Sequence, residues 1–560
     1  MNAPETALER GPLRIIPLGG LGEIGLNMLA VEYDDAVMVI DAGLMFPEDY
    51  MLGVDIVIPD LSYIRSRRES IAAIVLTHSH EDHIGALPFL LREISAPIYA
   101  TPFTLEIVRY KLEERDLLHK ADLHPLKPRQ RMTAGPFEVE FVRVSHSVVD
   151  GVGLGIRTPE GLVVHTGDFR ISHAPVADDA TDVGRFACFG EQGVLALLSD
   201  STNVEKTGYT LSEWEIGKTL DNIVAHGTGR IVVAVFASNI RRIQQIVDIA
   251  ARHGRKVVFN GRSIEMSTKI ACELGYMKIP DNMEIDVDQV RDHPDDEVII
   301  VTTGSQGEPM SALARIASGN HKQIKARNGD TVILSSKFIP GNERAIASII
   351  NSLYRQGAEV IYEKISDIHV SGHAFQEELK LMIQLTKPRY FVPIHGEYRH
   401  LTLHGRLAAR VGIPEERVVV AENGDVLEFE KGMCRMAGRV PTGRTLVDGK
   451  GIGDVGRSVL RERRALAEHG IVVVTLILDY ETGVVVFGPE LSSRGFVFES
   501  DKGYILDDAV CVILDIVEEA DMSAPERIKK VRNDIQKSLR QYFAFVIQRR
   551  PLILPIILEV

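Results

Sequence analysis

Four side chains of metal-binding type, His78, His80, Asp82 and His83, stand within six consecutive positions of the segment LTHSHEDHIG, residues 76–85, directly behind an apolar run at 71–76 that reads as a buried strand. Ligand types this dense at the end of a strand converge on one place, and imidazole nitrogen with carboxylate oxygen is the donor set that suits Zn²⁺. The chain must therefore fold so that other loops carry further ligands to the same strand end. A dinuclear metal site is expected.

At 560 residues the chain is too long for one hydrophobic core, so two or three domains are expected, and its 45% hydrophobic residues suffice for each to fold. No apolar run reaches the roughly 20 residues that a bilayer requires, and residues 1–14 lack the apolar stretch of a signal peptide. A cytoplasmic location without membrane attachment is expected. The four cysteines, Cys188, Cys272, Cys434 and Cys511, form no CxxC pair and read as reduced core residues. A formal net charge of -15 argues against a general nucleic-acid binder. It leaves room for one at a cleft, where the field is local and bound cations neutralise carboxylates. Arg65, Arg67, Arg68, Arg241, Arg242, Lys387 and Arg389 are candidates for a basic rim there, and each also reads as part of a solvated face.

Residues 14–200 alternate short β-branched runs with turns, at 37–41, 71–77, 137–144, 162–166 and 194–199, and Asp41, His78, His146, Asp168 and Asp200 each close or follow one. Loops at one edge of a sheet stacked between helices would gather them. The Gly-rich segment 17–27, PLGGLGEIGLN, lacks the ending of a phosphate loop and reads as a tight hairpin near the site. After residue 200 strands alternate with helices (230–236, 241–253, 256–260, 297–302, 331–335), the rhythm of a parallel sheet. Ligand types return with His369, His373 and His395, so a second domain at 206–365 is inserted into the first, which spans 1–205 and 366–445. Residues 447–456 are Gly-rich and place a linker at 446–465. A small α+β domain follows at 466–560, with a hairpin of strands 471–478 and 484–487 and a closing helix capped by Ser523 and Glu526, bearing Ile528, Val531, Ile535, Leu539 and Tyr542 on one face.

His78 and His80 can share one ion while Asp82 and His83 turn to a second. His146 and Asp168 supply distal ligands, Asp168 as the bridge, and His395 closes the second ion. Two adjacent divalent ions make hydroxide available near neutral pH, so no Ser or Cys nucleophile is required.

The motif HxHxDH at 78–83, with Asp41, His146 and Asp168, resembles the metallo-β-lactamase superfamily. Asp200 in SDSTN, His373 in HVSGHA and His395 in PIHGE resemble the extra motifs of its β-CASP branch, whose members cut nucleic acids. The wider set GGLGEIGLN, DAGLMFPED, GVDIVIPD, FASN, TGSQGEPM and the closing RRPLILPIILEV resembles the bacterial ribonuclease J family, with weaker coverage at about 405–540. The resemblance implies an α/β fold: a metallo-β-lactamase αββα sandwich, an inserted β-CASP α/β domain and a C-terminal α+β domain.

It also implies roles. His78, His80, His146 and Asp168 would bind one Zn²⁺ and Asp82, His83, Asp168 and His395 the other, with Mn²⁺ or Mg²⁺ able to serve in activity. Asp41 would orient the ligands. His373 would act on the leaving 3′ oxygen with Asp200 beside it, Asp82 completing the catalytic carboxylates. His369, Val370, Ser371, Gly372 and His373 would form the substrate-phosphate site. Ser238, Asn239, Arg262, Ser263 and Ser305 are candidates for a 5′-monophosphate pocket, and Leu52, Val54 and Asp448 for a structural divalent cation such as Ca²⁺. The implied activity is 5′ to 3′ exonucleolysis and endonucleolysis of single-stranded RNA in RNA decay and maturation. The implied assembly is a homodimer or homotetramer through the C-terminal region, with RNA-decay proteins as further partners.

A small-molecule hydrolase of thioesterase or lactonase type would explain the ligand cluster equally well, but has no task for Asp200, His373 or an insertion of 160 residues. A non-catalytic RNA-binding scaffold would not need a competent residue at every ligand position. DNA cleavage is the closest rival in chemistry, because sugar preference depends on 2′-hydroxyl contacts that no motif reveals.

Overall fold

The computed structural model describes residues 11–172, 180–308, 310–336, 342–362, 368, 370–497, 502–521 and 526–560. Two compact units emerge, Met1–Met45 with Ile58–Arg444, and Phe46–Val57 with Thr445–Val560.

Two sheets face each other in the larger unit. The first has the order Met433–Arg439, Asp425–Glu430, Leu13–Gly19, Met28–Tyr33, Ala36–Ile40, Ile71–Val75, Pro97–Ala100, Asp122–Pro125. The second runs Tyr390–Ile394, Val194–Asp200, Gly161–His165, Val152–Thr158, Phe137–Arg143, Arg131–Ala134. Alternate residues of both sheets, among them Ile15, Val31 and Val75 from one and Val139, Leu154, Leu198 and Val392 from the other, make one buried core. The outer face of the second sheet packs against helices Val183–Gln192 and Gln376–Thr386 through Phe186, Phe189, Leu379 and Met382. Sheets buried on both faces need apolar residues at nearly every position, which is why these strands read as continuous runs.

The chain leaves this sandwich after Val194–Asp200 and returns along the parallel neighbour Tyr390–Ile394, whose register sets Asp200 opposite Ile394. Between them lies a fully parallel sheet in the order Lys256–Asn260, Val298–Thr302, Ile231–Ala234, Thr331–Leu334, Glu359–Ile361. The excursion thus costs the second sheet nothing in pairing and places His395 beside Asp200.

In the smaller unit, Ile471–Leu478 pairs antiparallel with Val485–Arg494 and parallel with Leu552–Glu559. Its inward residues Val472, Val474, Leu476 and Leu478 pack against Ile513, Val531, Ile535, Leu539 and Phe543 of helices Lys502–Glu518 and Arg527–Val546. The chain therefore closes on a strand, not on a helix as expected. Pro551 and Pro555 disfavour helix, and the alternation of residues 552–558 suits an edge strand. Ser523, the expected cap, lies outside the described residues. The expected linker carries a turn that pairs Val447 with Ile452 and Asp448 with Gly451, followed by helix Arg457–His469. None of the cysteines is buried, and Cys188 and Cys511 are exposed on helices, correcting their reading as core. No helix among the described residues is long and apolar enough to cross a membrane.

Candidate metal centre

Six strand ends deliver the centre: Asp41 follows Ala36–Ile40, His78 follows Ile71–Val75, His146 follows Phe137–Arg143, Asp168 follows Gly161–His165, Asp200 ends Val194–Asp200, and His395 follows Tyr390–Ile394. Strands Ala36–Ile40 and Ile71–Val75 are parallel neighbours, as are the three that carry Asp168, Asp200 and His395, so each group of ligand loops emerges at one edge. The Gly-rich segment forms the expected hairpin between Leu13–Gly19 and Met28–Tyr33 and ends with Asn27 at the centre, its amide donating to the Asp82 carbonyl at 3.0 Å.

The first donor set is His78, His80, His146 and Asp168. His80 Nδ1 lies 3.1 Å from His78 Nε2 and 3.2 Å from His146 Nε2, while Asp168 Oδ2 is 3.7 and 3.8 Å from those two Nε2 atoms. Donors around a tetrahedral ion at roughly 2.0–2.1 Å stand about 3.4 Å apart, so this spacing fits one. The outer nitrogens are held by protein: His146 Nδ1 by the Gly372 carbonyl at 2.8 Å, His78 Nδ1 by the Thr77 hydroxyl at 3.0 Å, and His80 Nε2 by the Ser238 hydroxyl at 3.2 Å. Burial holds His80 down to about 4 and, with neighbouring imidazoles, holds His78 and His146 well below the ordinary histidine range. Neutral rings with lone pairs turned inward are what a cation requires.

Asp82, His83 and His395 form the second set. His83 Nε2 and His395 Nε2 lie 3.3 and 3.5 Å from Asp168 Oδ2, and 3.6 and 3.4 Å from Asp82 Oδ2. Asp168 Oδ2 thus faces both sets. The outer nitrogens are again held, His83 Nδ1 by Asp41 Oδ2 at 2.7 Å and His395 Nδ1 by the Thr202 hydroxyl at 2.7 Å. Burial disfavours charge on His83, but Asp168, Asp82 and Asp41 outweigh it and raise its pKa to about 10; His395 is raised in the same way, with Asp168 the main cause after burial. Burial opposes ionisation of Asp168 as well, yet His395 and His83 hold it well below the ordinary carboxylate range. Negative charge concentrated here calls for cations, and the donors fit divalent ions.

His373 Nδ1 lies 2.8 Å from Asp200 Oδ2 and 4.0 Å from Asp168 Oδ2. Burial works against its protonation, but Asp200 overrides it and raises its pKa. The loop ahead of it is anchored by its oxygens: Asn203 donates to Ser371 Oγ at 2.6 Å and to the His373 carbonyl at 3.1 Å, while the Gly372 carbonyl holds His146. Gly372 is needed there, since a Cβ would come within 2.6 Å of the His146 ring. Val370 is buried in the same loop. His369 lies outside the described residues.

The remaining expected residues are dispersed. Ser238 reaches His80, whereas the Asn239 side chain caps helix Ile240–Arg252 by accepting from Arg242 N at 3.1 Å. Arg262, exposed, pairs with Glu114 at 3.2 Å, Ser263 is exposed beside it, and Ser305 is buried. In the smaller unit, the Asp448 carboxylate and the Leu52 carbonyl both accept from Arg463, at 2.5 and 2.9 Å. Val54, expected beside them, is buried. Asn27, Thr77, Thr202 and Asn203 escaped sequence reasoning as site residues, although all four lie within quoted motifs. Asn27, Thr77 and Thr202 hydrogen-bond residues that carry metal donors and Asn203 anchors the His373 loop, partnerships which no spacing reveals.

The fold and centre define a metallo-β-lactamase-type hydrolase: residues 21–214 match the metallo-beta-lactamase superfamily, and residues 357–420 match the Zn-dependent metallo-hydrolase RNA specificity domain. Residues 228–353 match the ribonuclease J beta-CASP domain and residues 458–560 the ribonuclease J C-terminal domain. Ribonuclease J 1 of Streptococcus pyogenes is 42% identical over 99% of this chain and 98% of its own, and ribonuclease J2 of Bacillus subtilis 41% identical over 98% and 99%. Ribonuclease J of Thermus thermophilus is 42% identical over 99% and 97%. A crystal structure of a protein of unknown function from Enterococcus faecalis shares the fold at a TM-score of 0.53 and 17% identity, covering 75% of this chain and 100% of that one. The chain belongs to the ribonuclease J family, metal-dependent ribonucleases that bind divalent metal and act on RNA.

Proposed function

We propose that the centre holds two Zn²⁺ ions, one on His78, His80, His146 and Asp168 and one on Asp82, His83, His395 and the shared Asp168, and that the enzyme degrades single-stranded RNA from 5′-monophosphate ends as well as cutting internally. When bound, the ions supply a nucleophilic hydroxide near neutral pH and neutralise the attacked phosphate. Asp41 and Thr202 orient His83 and His395 so that their Nε2 atoms face inward. Residues 369–373 cradle the phosphate, with the Ser371 hydroxyl, whose oxygen already accepts from Asn203, and the backbone N–H of Gly372 as donors. His373, kept protonated by Asp200, gives its proton to the leaving 3′ oxygen. The single observation that carries the reading is the 2.8 Å His373–Asp200 pair set beside inward-turned metal donors. Hydrolysis of a small ester would not need that pair.

Ser238 is the 5′-phosphate pocket residue with the best support, through its hydroxyl beside His80; Asn239, Arg262, Ser263 and Ser305 are secondary members. Exposed Leu554, Ile556 and Leu558 on one face of the last strand support homodimers or homotetramers through the C-terminal region. The reading places the enzyme in the cytoplasm, with the insertion at 206–365 acting as the β-CASP domain.

One end-labelled RNA carrying a 5′-monophosphate or a 5′-triphosphate, digested by native protein and by His80→Ala, tests this. Processive release of mononucleotides from the monophosphate form, lost in the variant, is expected. Equal internal cutting of both forms would remove the pocket and leave the nuclease; no cutting with Zn²⁺ or Mn²⁺ would overturn the reading.

A further inference from the structure

Arg242, a candidate for the basic rim by sequence, is instead 1% exposed and is the largest fully buried side chain among the described residues. Its Nη2 donates to Glu213 Oε2 at 2.6 Å, and its Nη1 to Ser335 Oγ at 2.6 Å and the Ile368 carbonyl at 2.8 Å. The other oxygen of Glu213 accepts from Arg170 Nη2 at 3.2 Å, and Arg170 is buried too. One carboxylate therefore grips two buried guanidiniums. Arg170 stands two residues beyond Asp168 and bonds through its N–H to the Ser145 carbonyl at 2.8 Å, next to His146. Ile368 stands five residues ahead of His373 in the chain. Just past His373 the Ala374 N–H donates to the Phe169 carbonyl at 2.7 Å.

We infer that Glu213 is a positioning residue for the reaction: through Arg242 and Arg170 it holds the start of the His373 loop in register with the loops that carry Asp168 and His146. The inference rests on the reading of His373 as proton donor. A buried charged triad is poor evidence for stability, because apolar residues of similar size often fold as well. What apolar packing cannot do is set direction. The two oxygens of Glu213 and the planar fork of Arg242 fix the Ile368 carbonyl relative to the Asp168 loop in both distance and angle. Gln245 reinforces the arrangement, accepting from Arg242 Nε at 3.1 Å and donating to the Glu213 carbonyl at 2.9 Å. With Ile368 and Ala374 both tied to the Asp168 segment, His373 is held from either side along the chain. Loosening the Ile368 end moves the ring away from the leaving oxygen, while His78, His80, His83 and His395 keep partners outside residues 368–374 and His146, whose Nδ1 rests on the Gly372 carbonyl, shares the disturbance.

The test compares two RNAs of one sequence, one natural and one with sulfur in place of the 3′-bridging oxygen at the scissile bond. A thiolate leaves without a proton, so only the natural linkage depends on His373. Glu213→Gln is expected to lower turnover of the natural linkage on the order of 10²-fold, to lower that of the sulfur linkage less than about tenfold, and to keep most of the native metal content, with Glu213→Asp partly restoring the natural linkage. Arg242→Lys keeps the charge but loses the fork and should show the same selective loss, which carries the test should Glu213→Gln fail to fold. Native turnover of the natural linkage, or equal losses on both linkages, would overturn the inference. His373→Ala is the control: should it lose both linkages equally or neither, the proton-donor reading falls, and that failure is distinct from one seen only at Glu213.

Discussion

The buried carboxylate of Asp41 and the Nδ1 atom of His83 lie 2.7 Å apart, which leaves Nε2 as the only donor that His83 can turn toward Asp82 and Asp168. The same carboxylate accepts from the Thr77 N–H and hydroxyl, each at 2.8 Å. One residue that touches no metal donor atom of its own thus fixes the ring and the loop that opens the ligand cluster.

Asp41→Ala should therefore weaken metal binding by about 10–100-fold, the usual effect of removing such an orienting partner. Competition with a zinc chelator measures it, and an unchanged chelator midpoint would show that His83 is oriented without Asp41.

Asp200→Asn should keep the metal content near native while cutting RNA turnover by about 10²-fold, within the range for loss of general acid catalysis. The amide cannot favour the imidazolium of His373 as the carboxylate does at 2.8 Å. Metal analysis with single-turnover cleavage checks it; activity within a factor of about two would deny the proton a catalytic role.

Gly372→Ala should drive the new methyl into the His146 ring, which an added Cβ would approach to 2.6 Å. Displacing that ligand by about 1 Å should cost roughly 10²-fold in activity and lower the metal content, with little change in far-ultraviolet circular dichroism. Full metal loading would mean that the loop yields instead of the ring.

Glu140 is buried and holds Arg185 at 2.6 Å, Arg131 at 3.0 Å and Arg157 at 3.5 Å. Burial would raise its pKa, but Arg185 and then the other two outweigh it, and the folded value lies below the ordinary one. The unfolded value is about 4.3, so the contribution to stability is complete above that pH and is lost as pH falls through the folded value. Glu140→Gln should destabilise the protein by about 2 kcal/mol at pH 7, and the gap from native should shrink in acid below about pH 4. Urea titrations at both pH values test the sign; a gap that widens in acid would contradict it.

The strands and the ligand cluster were legible because each rests on local chemistry. Residues 71–76 are apolar whatever lies beside them, and His78, His80, Asp82 and His83 share one short segment. The sequence reading closes the chain on a helix and leaves the last strand unread, because the apolar face of Arg527–Val546 is locally clear, whereas Leu552–Glu559 gains its partner, Ile471–Leu478, from some 80 residues away. Arg242 was assigned to a solvated face because a lone arginine is nearly always solvated. Its burial depends on Glu213, Ser335 and Ile368, which meet only once the inserted domain is folded.

By itself the sequence determined which atoms are available for metal chemistry, the alternation of apolar runs that builds two facing sheets, and the family. Only the tertiary structure decided which nitrogen of each histidine faces inward and that Glu213 joins Arg242 to Arg170 behind the centre. The reason is physical: donor type is a property of one residue, but donor direction is set by a hydrogen bond on the far side of the ring. Those partners, Asp41, Thr77, Thr202, Ser238 and Gly372, come from separate stretches of the chain.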